Sequence, residues 1–157
     1  MLNKDKKERF YNYALKFLSF RPRSKKELFE YLKKKNCPAP IAKKIIFKLG
    51  EFDLVNDISF VDWWLEQRLI SKPKGARALR QELLQKGIDK EIIEQKLSKI
   101  DKQQLEKAAR KVLQKKIKYW KELPQLKLKK KIFNLLAYRG FDFTTINNLI
   151  DEFIKKS

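Results

Sequence analysis

The chain is 157 residues long and carries 39 Lys and Arg against 19 Asp and Glu, with no histidine and one cysteine, for a formal net charge of +20. That length suits one compact domain or a few small stacked units, and 43% apolar residues with eleven Phe, five Tyr and three Trp exclude disorder over the whole chain. The missing histidine removes Ser-His-Asp triads, Cys-His pairs and a histidine general base, and Cys37 alone supports neither an internal disulfide nor a Cys/His zinc site.

Met1 to Phe10 is lysine-rich with no apolar run behind it, so no signal peptide is expected. No apolar run approaches the ~20 residues that span a bilayer, which predicts a soluble, cytoplasmic chain without a membrane partner. From Phe10 the apolar spacing is helical: Phe10, Ala14, Phe17 and Leu18 form one face, Leu28, Tyr31 and Leu32 a second, and Ile41, Ile45 and Leu49 a third. Ser24-Lys25-Lys26-Glu27 is a capping box and predicts a helix start. Asp57-Ile58-Ser59-Phe60 reads as another start, with Val61, Leu65 and Leu69 along the face that follows. Gly87 and Gly140 each follow a basic residue, as a left-handed glycine after a helix does, and Asp89 and Asp142 then stand where the next helix needs a cap. No stretch alternates as a strand would. The expected fold is all-α.

The helices repeat. Leu28-x3-Leu32-x3-Asn36-x4-Ile41 aligns with Leu79-x3-Leu83-x3-Gly87-x4-Ile92 at a shift of 51 residues. A further shift of 53 reaches Ile132-x3-Leu136-x3-Gly140, with Ile146 one place out of register and Ile150 beyond. Phe10, Ala14 and Leu18 match Val61, Leu65 and Leu69, and Val112, Leu113, Ile117 and Trp120 match more loosely. Three tandem three-helix units are expected, 1–50, 51–100 and 101–157, sharing buried surface in an elongated, curved array.

Charge is unevenly spread. Residues 1–50 hold 15 basic and 4 acidic side chains, 51–100 hold 9 of each, and 101–157 hold 15 and 6. Two basic ends around a neutral middle suit a polyanion gripped at both ends. Arg21, Arg23, Lys25 and Lys26 surround a helix start, where free N–H groups and the dipole favour a phosphate. Lys72, Lys74, Arg77 and Arg80 hold the equivalent place in the second unit, with Gly75 where Ser24 stood, and Lys127, Lys129, Lys130 and Lys131 in the third. Together with Arg139 these are the candidate nucleic-acid or acidic-partner contacts. Lysines suit point contacts to phosphate, so weak sequence dependence and strong salt dependence are expected.

Glu51, Asp53, Asp57 and Asp62 are the acidic cluster nearest to a metal site, but a helix start explains Asp57 better. Phe60, Trp63 and Trp64 could stack on bases, although a place in the core suits them better. Gly50, Gly75, Gly87 and Gly140 are isolated, so no phosphate loop for ATP is present. No catalytic residue, metal or cofactor is expected, and Cys37 is read as an inert thiol.

Three stretches together carry a resemblance. The first is Arg21-Pro22-Arg23-Ser24-x2-Glu27-Leu28-x3-Leu32. The second runs Leu54-x2-Asp57-x2-Phe60, then Arg68, Gly75, Leu79, Glu82-Leu83 and Lys86-Gly87-Ile88; the third is Leu136-x2-Arg139-Gly140-Phe141 with Ile146 beyond. In order and spacing they resemble the RecX family of bacterial regulatory proteins, over roughly residues 9–155. Asn36, Val61 and Tyr138 depart from the pattern, standing where glycine, alanine and arginine are common. The resemblance implies three tandem three-helix repeats and a non-enzymatic regulator of the RecA recombinase, within DNA repair, recombination and the SOS response. It also implies binding in the groove of the RecA–DNA filament, lowered ATP hydrolysis and strand exchange, and direct contact with DNA. Single- and double-stranded DNA are the expected nucleic-acid partners, and the chain is expected to be a monomer. A basic architectural DNA- or RNA-binding protein with no recombinase partner is the alternative that charge alone supports equally well.

Overall fold

A computed structural model describes residues 3–155; Met1, Leu2, Lys156 and Ser157, at the outer ends of the first and third expected units, lie outside the described residues. Among the described residues nine helices follow one another and no strand occurs. They are α1 (Lys4–Phe20), α2 (Lys25–Lys34), α3 (Ala39–Glu51), α4 (Asp57–Ile70), α5 (Ala76–Gln85), α6 (Lys90–Ser98), α7 (Lys102–Ile117), α8 (Gln125–Tyr138) and α9 (Phe143–Lys155).

Most of these helices begin where a side chain accepts from their first amides, a contact worth about 1 kcal/mol. The predicted capping box is in place: Glu27 N donates to Ser24 Oγ at 3.1 Å and Ser24 N to Glu27 Oε1 at 3.0 Å. Asp89 and Asp142 cap as expected, accepting from the amides of Glu91 and Thr145. Asn56, not Asp57, caps α4, taking the amides of Ile58 and Ser59 on Oδ1. Asp57 is thereby released for another task.

The second helix of each triplet ends in one shared device. Asn36, Gly87 and Gly140 lie at φ of 67°, 78° and 87°, the left-handed region that closes a helix. The next residue then donates back five positions: Cys37 N to Leu32 O at 3.0 Å, Ile88 N to Leu83 O at 3.1 Å, and Phe141 N to Leu136 O at 3.0 Å. Leu32, Leu83 and Leu136 are fully buried, and Cys37, Ile88 and Phe141 are buried beside them. Asparagine fills the role of glycine in the first copy because its short polar side chain tolerates this backbone.

The third helix of each triplet corrects the alignment. The buried series is Ala42, Ile93 and Ile146, each ten residues past the invariantly buried leucine, whereas Ile41 and Ile92 are only half-buried. Ile146 is therefore in register, and Thr145 takes the half-buried place of the two isoleucines.

The chain packs as two compact bodies. The N-terminal body runs up to Trp63 and takes in Leu83–Ile92; its core is Phe10, Ala14, Leu28, Leu32, Cys37, Ala42, Ile45, Leu49 and Val55. Phe17 stacks on Tyr31 at its edge, with centroids 3.9 Å apart. The C-terminal body takes Trp64–Glu82 and the chain from Ile93 onward, around Ala108, Ala109, Val112, Leu113, Leu128, Ile132, Leu136, Phe141, Ile146 and Leu149. Of the middle triplet, Phe60, Val61, Leu83 and Ile88 belong to the first body and Leu65, Leu79, Ile93 and Leu97 to the second, and all eight are buried.

Candidate nucleic-acid interface

The start of α2 already holds its own anions. Lys25 N donates to Asp57 Oδ1 at 2.9 Å, which is the task left to Asp57 once Asn56 caps α4. Arg21 forks onto Glu27, Nη2 to Oε2 at 2.5 Å and Nη1 to Oε1 at 3.3 Å, and Lys86 Nζ reaches the same carboxylate at 3.0 Å. Burial raises the Glu27 carboxyl, but Arg21, the Ser24 amide and Lys86 outweigh it and hold the group below the usual carboxylate range. Arg23 lies over the Phe17 ring at 3.8 Å and donates to Phe17 O; burial, then Arg21, lower its pKa. Lys26 donates to Gln85 O at 3.1 Å, and the side chain of Lys25 is exposed. The phosphate site expected at this helix end is filled from within, by Asp57 and the capping box.

The start of α5 is filled differently. Gly75 N donates to Arg139 O at 2.8 Å and Arg77 N to Gly140 O at 3.3 Å. A Cβ at residue 75 would lie 2.5 Å from Phe141 Cα, so glycine is required where the first unit has Ser24. Arg77 donates to Ala137 O, Lys74 and Arg68 both reach Glu82 at 3.1 Å, and Arg80 pairs with Glu94, whose hydrogen bond raises its pKa. Along α8, by contrast, Lys127, Lys129, Lys130 and Lys131 are exposed and none forms an ion pair among the described residues. Lys131 alone has a ring beneath it, Trp120 at 5.6 Å.

Unopposed charge gathers elsewhere. In the C-terminal body a cleft of about 300 Å³ is lined by Ile70, Ser71, Lys72 and Pro73, by Lys111, Val112, Lys115 and Lys116 of α7, and by Arg139. Five cations face it and no carboxylate lines it. Lys72, one of the lining residues, sits at φ 54°, a left-handed backbone that costs a lysine strain. Lys115 and Lys116 lie in the last turn of α7, where the dipole favours cations in the absence of any ligand. In the N-terminal body a second cleft of about 550 Å³ opens between α1 and α3, lined by Lys4, Lys7, Glu8, Tyr11, Ile41, Lys44, Ile45 and Lys48. Lys48 Nζ lies 5.2 Å from the Tyr11 ring centre.

Of the predicted contacts, the first cleft therefore brings together Lys72 and Arg139. Arg21, Arg23, Lys26, Lys74, Arg77 and Arg80 are engaged within the fold. Lys111, Lys115 and Lys116 escaped the sequence reading, which attended to helix starts; their signal was three lysines at i, i+4 and i+5 near a helix end.

The remaining sequence candidates have structural roles. Arg21 lies 5.5 Å from the Trp63 ring centre and Arg68 4.6 Å from that of Trp64, while Phe60 is buried. Trp64 Nε1 also donates to Glu82. Cys37 is buried, and that burial pushes its thiol pKa up. Among the described residues no three His, Cys, Asp or Glu side chains are placed to hold a metal, and no helix is long and apolar enough to cross a membrane.

Fold and clefts define a class: an all-helical tandem repeat protein with lysine-lined clefts. Family models for the first, second and third three-helix domains of RecX match residues 11–49, 56–97 and 103–150 in that order. A regulatory protein RecX of Streptococcus uberis is 35% identical over 136 residues, 86% of this chain and 52% of that protein. Those of Bacillus pumilus and Streptococcus pyogenes serotype M5 are 36% identical over 143 residues and 40% over 133, covering 90% and 84% of this chain and 54% and 50% of theirs. The chain spans about half the length of these relatives. Among solved structures, RecX from Lactobacillus salivarius matches with a TM-score of 0.82 at 25% identity, over 96% of this chain and 97% of that one. A second crystal structure, of a regulatory protein RecX, gives 0.80 at 24% identity, over 98% and 73%. The chain belongs to the RecX family.

Proposed function

We propose that this protein is a non-enzymatic, cytoplasmic, monomeric regulator of RecA, which binds the RecA–DNA filament and lowers its ATPase and strand exchange. The family supports the recombinase as partner, and the relatives it matches are regulatory proteins by name. The observation that carries the DNA contact is the five-cation cleft of Lys72, Lys111, Lys115, Lys116 and Arg139, lined by no acid. Lysines gathered without counter-charge attract any phosphate chain, so contact with DNA is salt-sensitive and indifferent to sequence. The exposed lysines of α8 on the C-terminal body and the α1–α3 cleft on the N-terminal body are further basic features. The three repeats, about fifty residues each, are the units through which the two basic ends engage one filament.

The second reading, an architectural nucleic-acid binder without a recombinase, is favoured by the charge of +20 alone. RecA ATPase on single-stranded DNA, measured at a salt concentration where this protein no longer binds naked DNA, separates the two. Continued inhibition supports the RecA reading. Loss of inhibition in step with loss of DNA binding supports the architectural one.

A further inference from the structure

The turn between α8 and α9 has a second cleft on it, and its lining differs from the first. About 510 Å³ in volume, it lies within the C-terminal body and is lined by Arg77, Arg80, Leu105, Phe133, Phe143 and Ile146, and by Gly140. Phe143, the first residue of α9, is 69% exposed, although its ring packs on Phe133 at 5.5 Å. Tyr138, the last residue of α8, is 87% exposed. Two large rings thus stand in water on either side of a turn whose centre, Phe141, is buried.

The cationic cleft opens on the same turn, for Arg139 lines one cleft and Gly140 the other. Arg139 and Phe143 are four residues apart, so their Cα atoms are separated by at most about 15 Å. A ligand that places charge in the first cleft and a flat apolar ring in the second, within that reach, alternates phosphate and base. A duplex does not qualify, because its bases are paired and stacked and show no free face. On the aromatic side Arg80 is paired with Glu94 and Arg77 is held by Ala137 O, while Asp142 accepts from the Thr145 amide and keeps its negative charge, so nothing there draws a phosphate. Attraction there comes from the rings.

We propose that this turn is a single-strand binding site, in which phosphates sit among Lys72, Lys111, Lys115, Lys116 and Arg139 while a neighbouring base stacks on Phe143, with Tyr138 as a second platform. The proposal rests on the reading that this protein touches DNA, and it names the form of DNA and the residues that select it. Stacking on one aromatic is sequence-tolerant and adds affinity that salt does not remove.

Fluorescence anisotropy of the full chain tests it, with a labelled oligothymidylate, the same strand made abasic, and a duplex of equal length. Phe143→Ala is expected to weaken oligothymidylate binding about five- to hundredfold. Duplex binding and the salt slope on the single strand should stay unchanged, and Phe143→Trp should restore affinity. Tyr138→Ala should weaken the single strand in the same direction. The abasic strand should bind wild type no better than oligothymidylate binds Phe143→Ala. Both rings are mostly exposed, so thermal melting should barely move. Salt-sensitive DNA binding that ignores Phe143 and Tyr138 overturns this proposal and leaves the DNA reading standing, and so does equal weakening of single strand and duplex. If Phe143→Ala leaves DNA affinity intact but relieves RecA inhibition, the cleft holds a protein side chain and the proposal is likewise overturned. A wild type that binds none of the three probes removes both readings.

Discussion

Asn36, Gly87 and Gly140 share a backbone conformation but not a setting. A methyl at Gly87 would lie 2.7 Å from Lys26 Cβ, which the backbone of α2 holds in place; at Gly140 it would lie 2.5 Å from the backbone N of Ala78. Left-handed backbone costs an L-residue about 1–2 kcal/mol. Gly87→Ala and Gly140→Ala are each expected to lose more than that in urea unfolding, because a clash adds to the backbone strain at both; a loss of no more than about 2 kcal/mol at either would contradict the packing described. Leu83→Ala, at a fully buried position, should cost about 2–5 kcal/mol. Glu27 supplies a pH signature. Its carboxyl pKa is lower in the folded chain than the ordinary 4.5, so its contribution is fully present above that value and is lost as pH falls through the folded one. Glu27→Gln should therefore lower stability at pH 7 and flatten the loss of stability below pH 4.5, measured by urea unfolding at several pH values. These residues were legible in the sequence because caps and left-handed turns depend on three or four neighbouring positions. Ile146 was misread because a half-buried isoleucine and a buried one look alike until the helix is packed.

At the scale of the helix, the sequence shows where elements begin but not what meets them there. The bond from Lys25 N to Asp57 joins residues 32 apart, and the carbonyls of Arg139 and Gly140 reach the start of α5 from more than sixty residues away. Local pattern shows a helix end ringed by cations; only tertiary structure shows that end occupied and most of the cations paired. The third cluster, along α8, stays exposed, and the lysines of α7 join Lys72 and Arg139 in a cleft that no short stretch of sequence contains. Two kinds of arginine or lysine result, and they should separate by experiment. Arg21→Gln breaks the fork onto Glu27 and should lower the melting temperature. Lys111→Gln, Lys115→Gln and Lys116→Gln together should lower melting only by the small dipole contribution of Lys115 and Lys116, and flatten the log–log salt dependence of duplex binding by about 2.7. A slope that does not move would place the phosphate contacts elsewhere.

The whole molecule carries +20, concentrated outside residues 51–100, and each compact body has its own lysine-lined cleft. If both clefts engage one filament, each holds the other at high effective concentration, and losing either costs more than its share of contacts. The most direct test of this account is inhibition of RecA ATPase by three charge-reversed proteins. One carries Glu at Lys4, Lys7, Lys44 and Lys48, one at Lys111, Lys115 and Lys116, and one at all seven. Each single-cleft protein should lose most of its inhibition, approaching the combined one, while all three still melt cooperatively, at somewhat lower temperature because Lys48, Lys115 and Lys116 lie in the last turns of their helices. A single-cleft protein that inhibits like wild type at equal concentration would contradict it.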